Sequence, residues 1–251
     1  MGVEGLVGLT ATIELGWGLS INYYHSTRGR QSLHVIPPTT LIGALSYPLA
    51  KLMRWPETSK GDSTASRLIG IIKGVYYSIL QGALIPYTEI GKIWFYKVKT
   101  KEALSDAVGI QKLYSKPQTK IKIIYIVKVS EARKLLGDEW RRILTSAAYS
   151  ITRVGSKESI VSVDSIDICK IGLDGGDKTR YTVPLYNVEG IEGEYTISEV
   201  VDWRSSNIGG YFNAPTIRIA QPQGPLGSPT TVRVAPKHLM IEVCGEPVVP
   251  W

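Results

Sequence analysis

The sequence predicts an α+β fold, and three observations point to it. Alternating apolar residues mark a one-faced strand over 9–17, which runs through a basic loop into a helix entered at a proline pair. A second apolar helical stripe over 140–151 is followed by a short glycine-containing loop and another strand. From Gly172 the composition turns to Gly, Pro, Thr and Val with recurrent turn signals, so a domain over 1–171 and a smaller C-terminal β-rich region over 172–251 are expected.

The first strand places Leu9, Ala11, Ile13, Leu15 and Trp17 on one face and Thr10, Thr12, Glu14 and Gly16 on the other. The basic loop carries Arg28, Gly29 and Arg30, and Pro37-Pro38 then biases the chain to an extended path before a helix that Thr39 or Thr40 can cap. Leu41, Ile42, Leu45, Leu49, Leu52 and Met53 line one helical face. Gly43, Ala44, Ser46 and Ala50 leave small surfaces for a close neighbour, and Pro48 removes the amide bond to the Ala44 carbonyl. Residues 55–62 read as a loop. Leu68, Ile69, Ile71, Ile72, Val75, Tyr76, Ile79 and Leu80 fit a helical stripe ending near Gly82, with a strand over its second half as the alternative.

From Ala83 the pattern is β. Lys92, Trp94 and Tyr96 share one face, an interleaving that suits stacked bases beside phosphates; the structural alternative is that both rings pack a core while lysines snorkel. A basic insertion near 92–122 is expected to form an extended hairpin or a loop reaching beyond the domain body. Ile121–Val129 is the most strand-like segment. Trp140, Ile143, Leu144, Ala147 and Ile151 then repeat at helical spacing, with Asp138 as the expected cap. In the loop that follows, Gly155 permits positive φ, Ser156 and exposed amides offer an anion site, and Arg153 and Lys157 add charge. The strand Ile160–Ile171 changes apolar parity between Val163 and Ile166, which predicts a bulge. Short strands over Arg180–Tyr186, Tyr195–Val201, Thr230–Val234 and His238–Val243 complete the chain.

Charge is unevenly placed. Residues 1–130 hold 16 Lys and Arg against 7 Asp and Glu, whereas 131–251 hold 13 against 15, so the first half carries +9 and the second −2 of the net +7. Within Lys92–Lys128 nine lysines face only Glu102 and Asp106, which suggests an anionic partner, a nucleic acid or an acidic protein surface. No apolar run is long enough for a membrane span and no secretory leader pattern opens the chain, so a cytoplasmic protein without membrane contact is expected. Cys169 and Cys244 have neither metal-ligand spacing nor the numbers of a disulfide framework. No Walker or dinucleotide glycine motif, His-Glu-x-x-His or nucleophile elbow is present, so neither a cofactor nor a metal is expected.

The strand at 9–17, Ser26-Thr27-Arg28 and Ile36-Pro-Pro-Thr-Thr-Leu-Ile-Gly-Ala-Leu45 resemble the N-terminal signature of the Cas-five (Cas5) family, the CRISPR-associated RAMP proteins of the Cascade antiviral surveillance complex, closest to its archaeal subtype I-A branch. The resemblance implies a ferredoxin-like (RRM-like) RAMP domain. It also implies a non-catalytic subunit that binds the 5′ repeat-derived handle of CRISPR RNA, caps the Cas-seven backbone and docks a Cas-eight large subunit, a monomer within a hetero-complex. The expected RNA contacts are Tyr24, His25, Arg28 and Arg30 from the first loop and Arg153, Ser156 and Lys157 from the second. Lys112, Lys116, Lys120 and Lys122 are expected to form a flexible electrostatic arm.

Two other functions fit the residues less well. A metal-independent ribonuclease needs a base, an acid and a cation, which Tyr24, His25 and Tyr47 beside the loop arginines could supply. One Cas-five branch cleaves with a Tyr, Lys and His group, but the adjacent Lys-His pair here, Lys237-His238, lies far towards the C-terminus. A structural adaptor without RNA specificity is the third reading.

Overall fold

The computed structural model describes residues 4–21, 32–56, 58–59, 62–204 and 214–251. In chain order its strands and helices are β1 (Leu6–Leu15), β2 (Gly18–Leu19), α1 (Pro38–Leu52), β3 (Thr58–Ser59), β4 (Asp62–Ser63), β5 (Ile72–Gln81), β6 (Leu84–Lys97), β7 (Glu102–Ser115), β8 (Lys120–Lys128), α2 (Val129–Leu136), α3 (Trp140–Tyr149) and β9 (Val161–Asp174). The C-terminal region adds β10 (Lys178–Thr179), β11 (Val183–Pro184), β12 (Val188–Glu192), β13 (Tyr195–Val201), β14 (Thr216–Pro222), β15 (Val232–Pro236), β16 (Met240–Val243) and β17 (Glu246–Val248).

The main sheet has the order β17-β16-β9-β1-β8-β5, with every neighbouring pair antiparallel. β1 lies at its centre. Ile121, Ile123, Tyr125 and Val127 of β8 are buried, and so are Ile124 and Ile126 on the opposite face. A run buried on both faces needs cover on both sides. α1 and α3 pack together on one side, where the Tyr125 hydroxyl donates to the Leu41 carbonyl at 2.8 Å. The C-terminal region closes onto β5: Thr182 N–H donates to the Tyr77 carbonyl at 3.1 Å and Trp251 Nε1–H to the Val75 carbonyl at 3.0 Å.

Three local expectations are corrected. The stripe at 68–80 is a 3₁₀ turn over Thr64–Leu68 followed by β5. Ile72, Val75, Tyr76, Tyr77 and Ile79 are all buried, and a β-branched and aromatic run buried on both faces carries no periodicity that separates helix from strand. The second helix is preceded by α2, and Gly137 at φ +76° separates it from α3. Neither Asp138 nor the threonines cap: Glu139 is the N-cap of α3 and Pro37 that of α1, with Pro38 in the first turn, and neither has a side-chain cap bond. The bulge foreseen in β9 is present, because Thr12 pairs with Ser165 but Ile13 with Val163.

The boundary foreseen near 172 falls inside β9, and β16–β17 return to the same sheet edge. Cys169 of β9 and Cys244 in the β16–β17 turn form a disulfide, with Cα atoms 5.5 Å apart, where the sequence reading expected none. The two cysteines are 75 positions apart, and only the pairing of β16 with β9 brings them together. β6 and β7 form a hairpin of 14 residues a side, roughly 45 Å long. It is anchored at its root by Gly18 and Leu19 of β2 pairing with Tyr114 and Leu113.

Candidate nucleic-acid interface

A cavity of about 330 Å³ opens between α1 and the loop that joins α3 to β9. Thr40, Gly43, Ala44, Tyr47 and Pro48 form one wall, Thr152, Arg153, Gly155 and Ser156 the opposite wall, and Ser20 and Ile21 the end. The helical spacing of 40, 43, 44, 47 and 48 aligns these side chains along one stripe of α1. A Cβ on Gly43 would meet nothing within 4 Å, so the missing side chain is open cavity rather than close packing. Gly155 has φ +99°, and a Cβ there would approach the Ser20 carbonyl to 2.9 Å, so glycine is required to bring the loop against residues 20–21.

The guanidinium of Arg153 lies over the Tyr47 ring, 4.5 Å from its centroid. Stacking holds the planar cation while leaving its N–H edge available to an anion. The loop is tied down by three bonds: Ser156 N–H donates to the Ser20 carbonyl at 3.0 Å, Ser20 N–H donates to Ser159 Oγ at 2.9 Å, and the Ser156 and Ser159 hydroxyls lie 3.2 Å apart. The Ser156 amide, expected to face an anion, is therefore engaged within the protein, and what Ser156 offers the cavity is its hydroxyl. Lys157 is exposed at the loop tip.

Tyr47, Arg153 and Ser156, singled out from distant parts of the sequence, thus meet at one cavity. Tyr24, His25, Arg28 and Arg30 lie outside the described residues. Of the described residues on either side, Ile21 lines the cavity, and Leu33 N–H donates to the Ile21 carbonyl at 2.8 Å. Thr40, Gly43 and Thr152 were not foreseen as wall residues; the small-residue set of α1 was a sequence trace of Gly43 alone.

The lysine arm is corrected in large part. Lys112 pairs with Glu89 at 2.8 Å, Lys120 with Asp164 at 2.5 Å and Lys122 with Glu246 at 3.2 Å. These lysines alternate with apolar residues on β7 and β8, and the register sets carboxylates beside them. Lys116 is exposed in the turn before β8. The hairpin beyond them is exposed instead. Trp94 is 67% and Tyr96 60% accessible, so neither packs a core. They share a face with their partners across the hairpin, Ser105 and Ala103, which are small. Two rings beside small residues make a flat platform, with Lys97, Lys99 and Lys101 exposed at its tip.

Among the described residues no cluster of His, Cys, Asp and Glu is arranged to hold a metal ion, and no helix is long and apolar enough to cross a membrane. His238 lines a different cavity, of about 270 Å³, with Tyr186, Arg204 and Trp251. There Arg204 is held in two bonds of 2.9 Å by Asp202. Burial raises the Asp202 pKa, but the Arg204 hydrogen bonds outweigh it and the carboxyl titrates below its usual range.

No protein-family model matches the chain. Over 176 residues, 67% of this chain and 68% of the relative, it is 26% identical to the CRISPR-associated protein Cas5 3 of Saccharolobus solfataricus. Over 186 residues, again 67% and 68% of the two chains, it is 26% identical to the CRISPR system aCascade subunit Cas5 1 of the same organism. Over two thirds of its length the chain is thus similar to Cas5 proteins. A crystal structure of a CRISPR protein from Archaeoglobus fulgidus has the same fold, with a TM-score of 0.59 at 19% identity over 97% of this chain and 98% of that one. That near-complete coverage means the shared fold includes the sheet-closing C-terminal strands.

Proposed function

We propose that this Cas5-like chain is a non-catalytic RNA-binding component of a CRISPR effector complex, and that the cavity walled by Tyr47, Arg153 and Ser156 holds part of the 5′ handle of CRISPR RNA. The observation that carries the reading is the Arg153–Tyr47 stack, because it presents a preorganised guanidinium on the cavity wall beside the Ser156 hydroxyl. A bound phosphate would accept from Arg153, and the Thr40, Thr152 and Ser156 hydroxyls would meet sugar or phosphate oxygens. The hairpin platform of Trp94 and Tyr96 supplies a second, sequence-tolerant contact through base stacking.

The connectivity β1-α1-β5-β8-α3-β9, with sheet order β9-β1-β8-β5, supports reading this half as a ferredoxin-like RAMP domain. In the proposed assembly that domain caps a Cas-seven backbone, while the near-neutral C-terminal region meets a Cas-eight subunit. Filter binding of a synthetic handle RNA over a salt series tests the RNA-binding part. Arg153→Ala should lower affinity about tenfold and reduce the log–log salt slope by roughly 0.7. An unchanged slope would remove Arg153 from the RNA contact. The RNA should also stay intact on incubation with the protein in EDTA; discrete cleavage products would favour the ribonuclease instead.

A further inference from the structure

Lys112 was expected to face RNA, yet its side chain is 18% exposed and its charge is engaged inside the protein. The ammonium lies 2.8 Å from Glu89 Oε2 and 3.8 Å from Glu158 Oε2, and 5.4 Å from the centroid of the Trp17 ring. Trp17 donates Nε1–H to the Glu158 carbonyl at 2.5 Å, and its ring meets that of Tyr114 at 5.4 Å. The Tyr114 hydroxyl donates to Glu89, and Gly16 N–H donates to the Ile160 carbonyl at 3.0 Å. One cluster therefore joins the hairpin root on β6 and β7 to the far end of the loop whose near end walls the cavity. Glu158 stands two residues from Ser156 but does not line the cavity.

Resting on the reading of that cavity as an RNA site, we infer that Lys112 and Trp17 are positioning residues, which fix the 155–160 loop and hold the Glu158 carboxylate on the hairpin side, off the bound anion. A loop that carries a cation, a hydroxyl and a carboxylate within four positions presents a net-attractive surface only if the carboxylate is turned away or neutralised. Lys112 does both. It reaches Glu158 from β7, which backbone pairing with β6 and β2 holds in place, so one ionic bridge links the hairpin root to the loop that walls the cavity.

Two measurements test the inference. In Lys112→Met, amide hydrogen exchange over 155–160 should accelerate, while Lys112→Arg should leave it as in the parent. Handle RNA affinity should fall about three- to tenfold in Lys112→Met at an unchanged salt slope, and adding Glu158→Gln should restore most of it. A slope reduced by roughly 0.7 in Lys112→Met would show a lost phosphate contact and overturn the positioning role. Unchanged exchange over 155–160 would overturn it equally. Should Arg153→Ala leave RNA binding untouched, the cavity reading falls by itself, and the exchange measurement still decides whether Lys112 holds the loop.

Discussion

The Arg153 guanidinium rests on the Tyr47 ring at 4.5 Å, which couples a side chain from the middle of α1 to the loop that leads into β9. The contact explains why a bulky aromatic occupies a helix stripe otherwise made of Thr40, Gly43 and Ala44. A stacked cation at a partly exposed site is worth about 0.5–1 kcal/mol. Tyr47→Ala should therefore weaken handle RNA binding two- to fivefold, whereas Tyr47→Phe, which keeps the ring, should bind as the parent does. Titrations of both variants beside Arg153→Ala check this, and equal losses for Phe and Ala would assign the effect to the hydroxyl.

How much of this was legible beforehand depended on whether the determining contacts were local. The β1 strand, the proline-entered α1 and the β9 bulge were readable because alternation, φ restriction and parity are properties of neighbouring residues. Gly155 was readable because a positive φ has few occupants. β5 was read first as a helix, with a strand as the alternative, because Val75 to Ile79 is buried on both sides, a fact set by α1 and the C-terminal region rather than by the segment itself. Lys120 and Lys122 were misread as an arm for the same reason, because Asp164 and Glu246 are distant in sequence and adjacent only through the sheet, while Lys112 meets Glu89 across the β6–β7 hairpin.

Gly43 offers a way to separate folding from binding. A methyl group there meets no atom within 4 Å, and Ala is favoured over Gly inside a helix by roughly 0.8–1 kcal/mol. Gly43→Ala should raise the unfolding temperature slightly with little effect on RNA. Gly43→Leu should fold normally and fill the cavity, lowering RNA affinity at least tenfold. Thermal unfolding and binding on the same preparations read both effects.

The hairpin aromatics give an opposite pattern to core residues. Truncating a buried tryptophan costs about 3–5 kcal/mol, whereas exposed substitutions fall near ±0.5 kcal/mol. With Trp94 at 67% and Tyr96 at 60% accessibility, the double change to Ala should leave urea unfolding unaltered within about 1 kcal/mol. RNA affinity should fall, with the salt slope unchanged, because stacking releases no counterions. A large stability loss would place the rings in a packed interior.

Acid should loosen the hairpin root in a defined direction. The Lys112 hydrogen bond, then that of Tyr114, holds the Glu89 carboxyl below its ordinary 4.5, and the same contact to Glu89 raises Lys112 above its ordinary 10.5. A depressed carboxyl stabilises the fold above its unfolded value and loses that contribution as pH falls through its folded value; the raised lysine loses its own as pH rises through its folded value. The cluster should therefore be intact at neutral pH and weaken below 4.5 and above 10.5. Unfolding temperatures of the parent and Glu89→Gln should converge as pH falls below that lower value, and a constant gap would show that Glu89 acts without its charge.

The disulfide sets the stability of the C-terminal closure. Cys169 and Cys244 bracket a separation of 75 residues, for which the loss of loop-closure entropy in the unfolded chain is about 4 kcal/mol, while measured effects run about 2–4 kcal/mol. Part of the β16–β17 turn has independent tethers, because Glu246 pairs with Lys122 at 3.2 Å and Arg180 at 3.6 Å, and the Thr179 hydroxyl donates to the Pro247 carbonyl at 2.6 Å. The joint change Cys169→Ser and Cys244→Ser should therefore lower urea-unfolding stability by about 2–4 kcal/mol without releasing β16 from β9 in the native state. Amide exchange over 240–248 distinguishes the two effects. Protection that falls only as far as global stability falls means that the bond acts on the unfolded chain. Selective loss of protection there would mean that the bond, rather than the Glu246 pairs, holds the last two strands on the sheet.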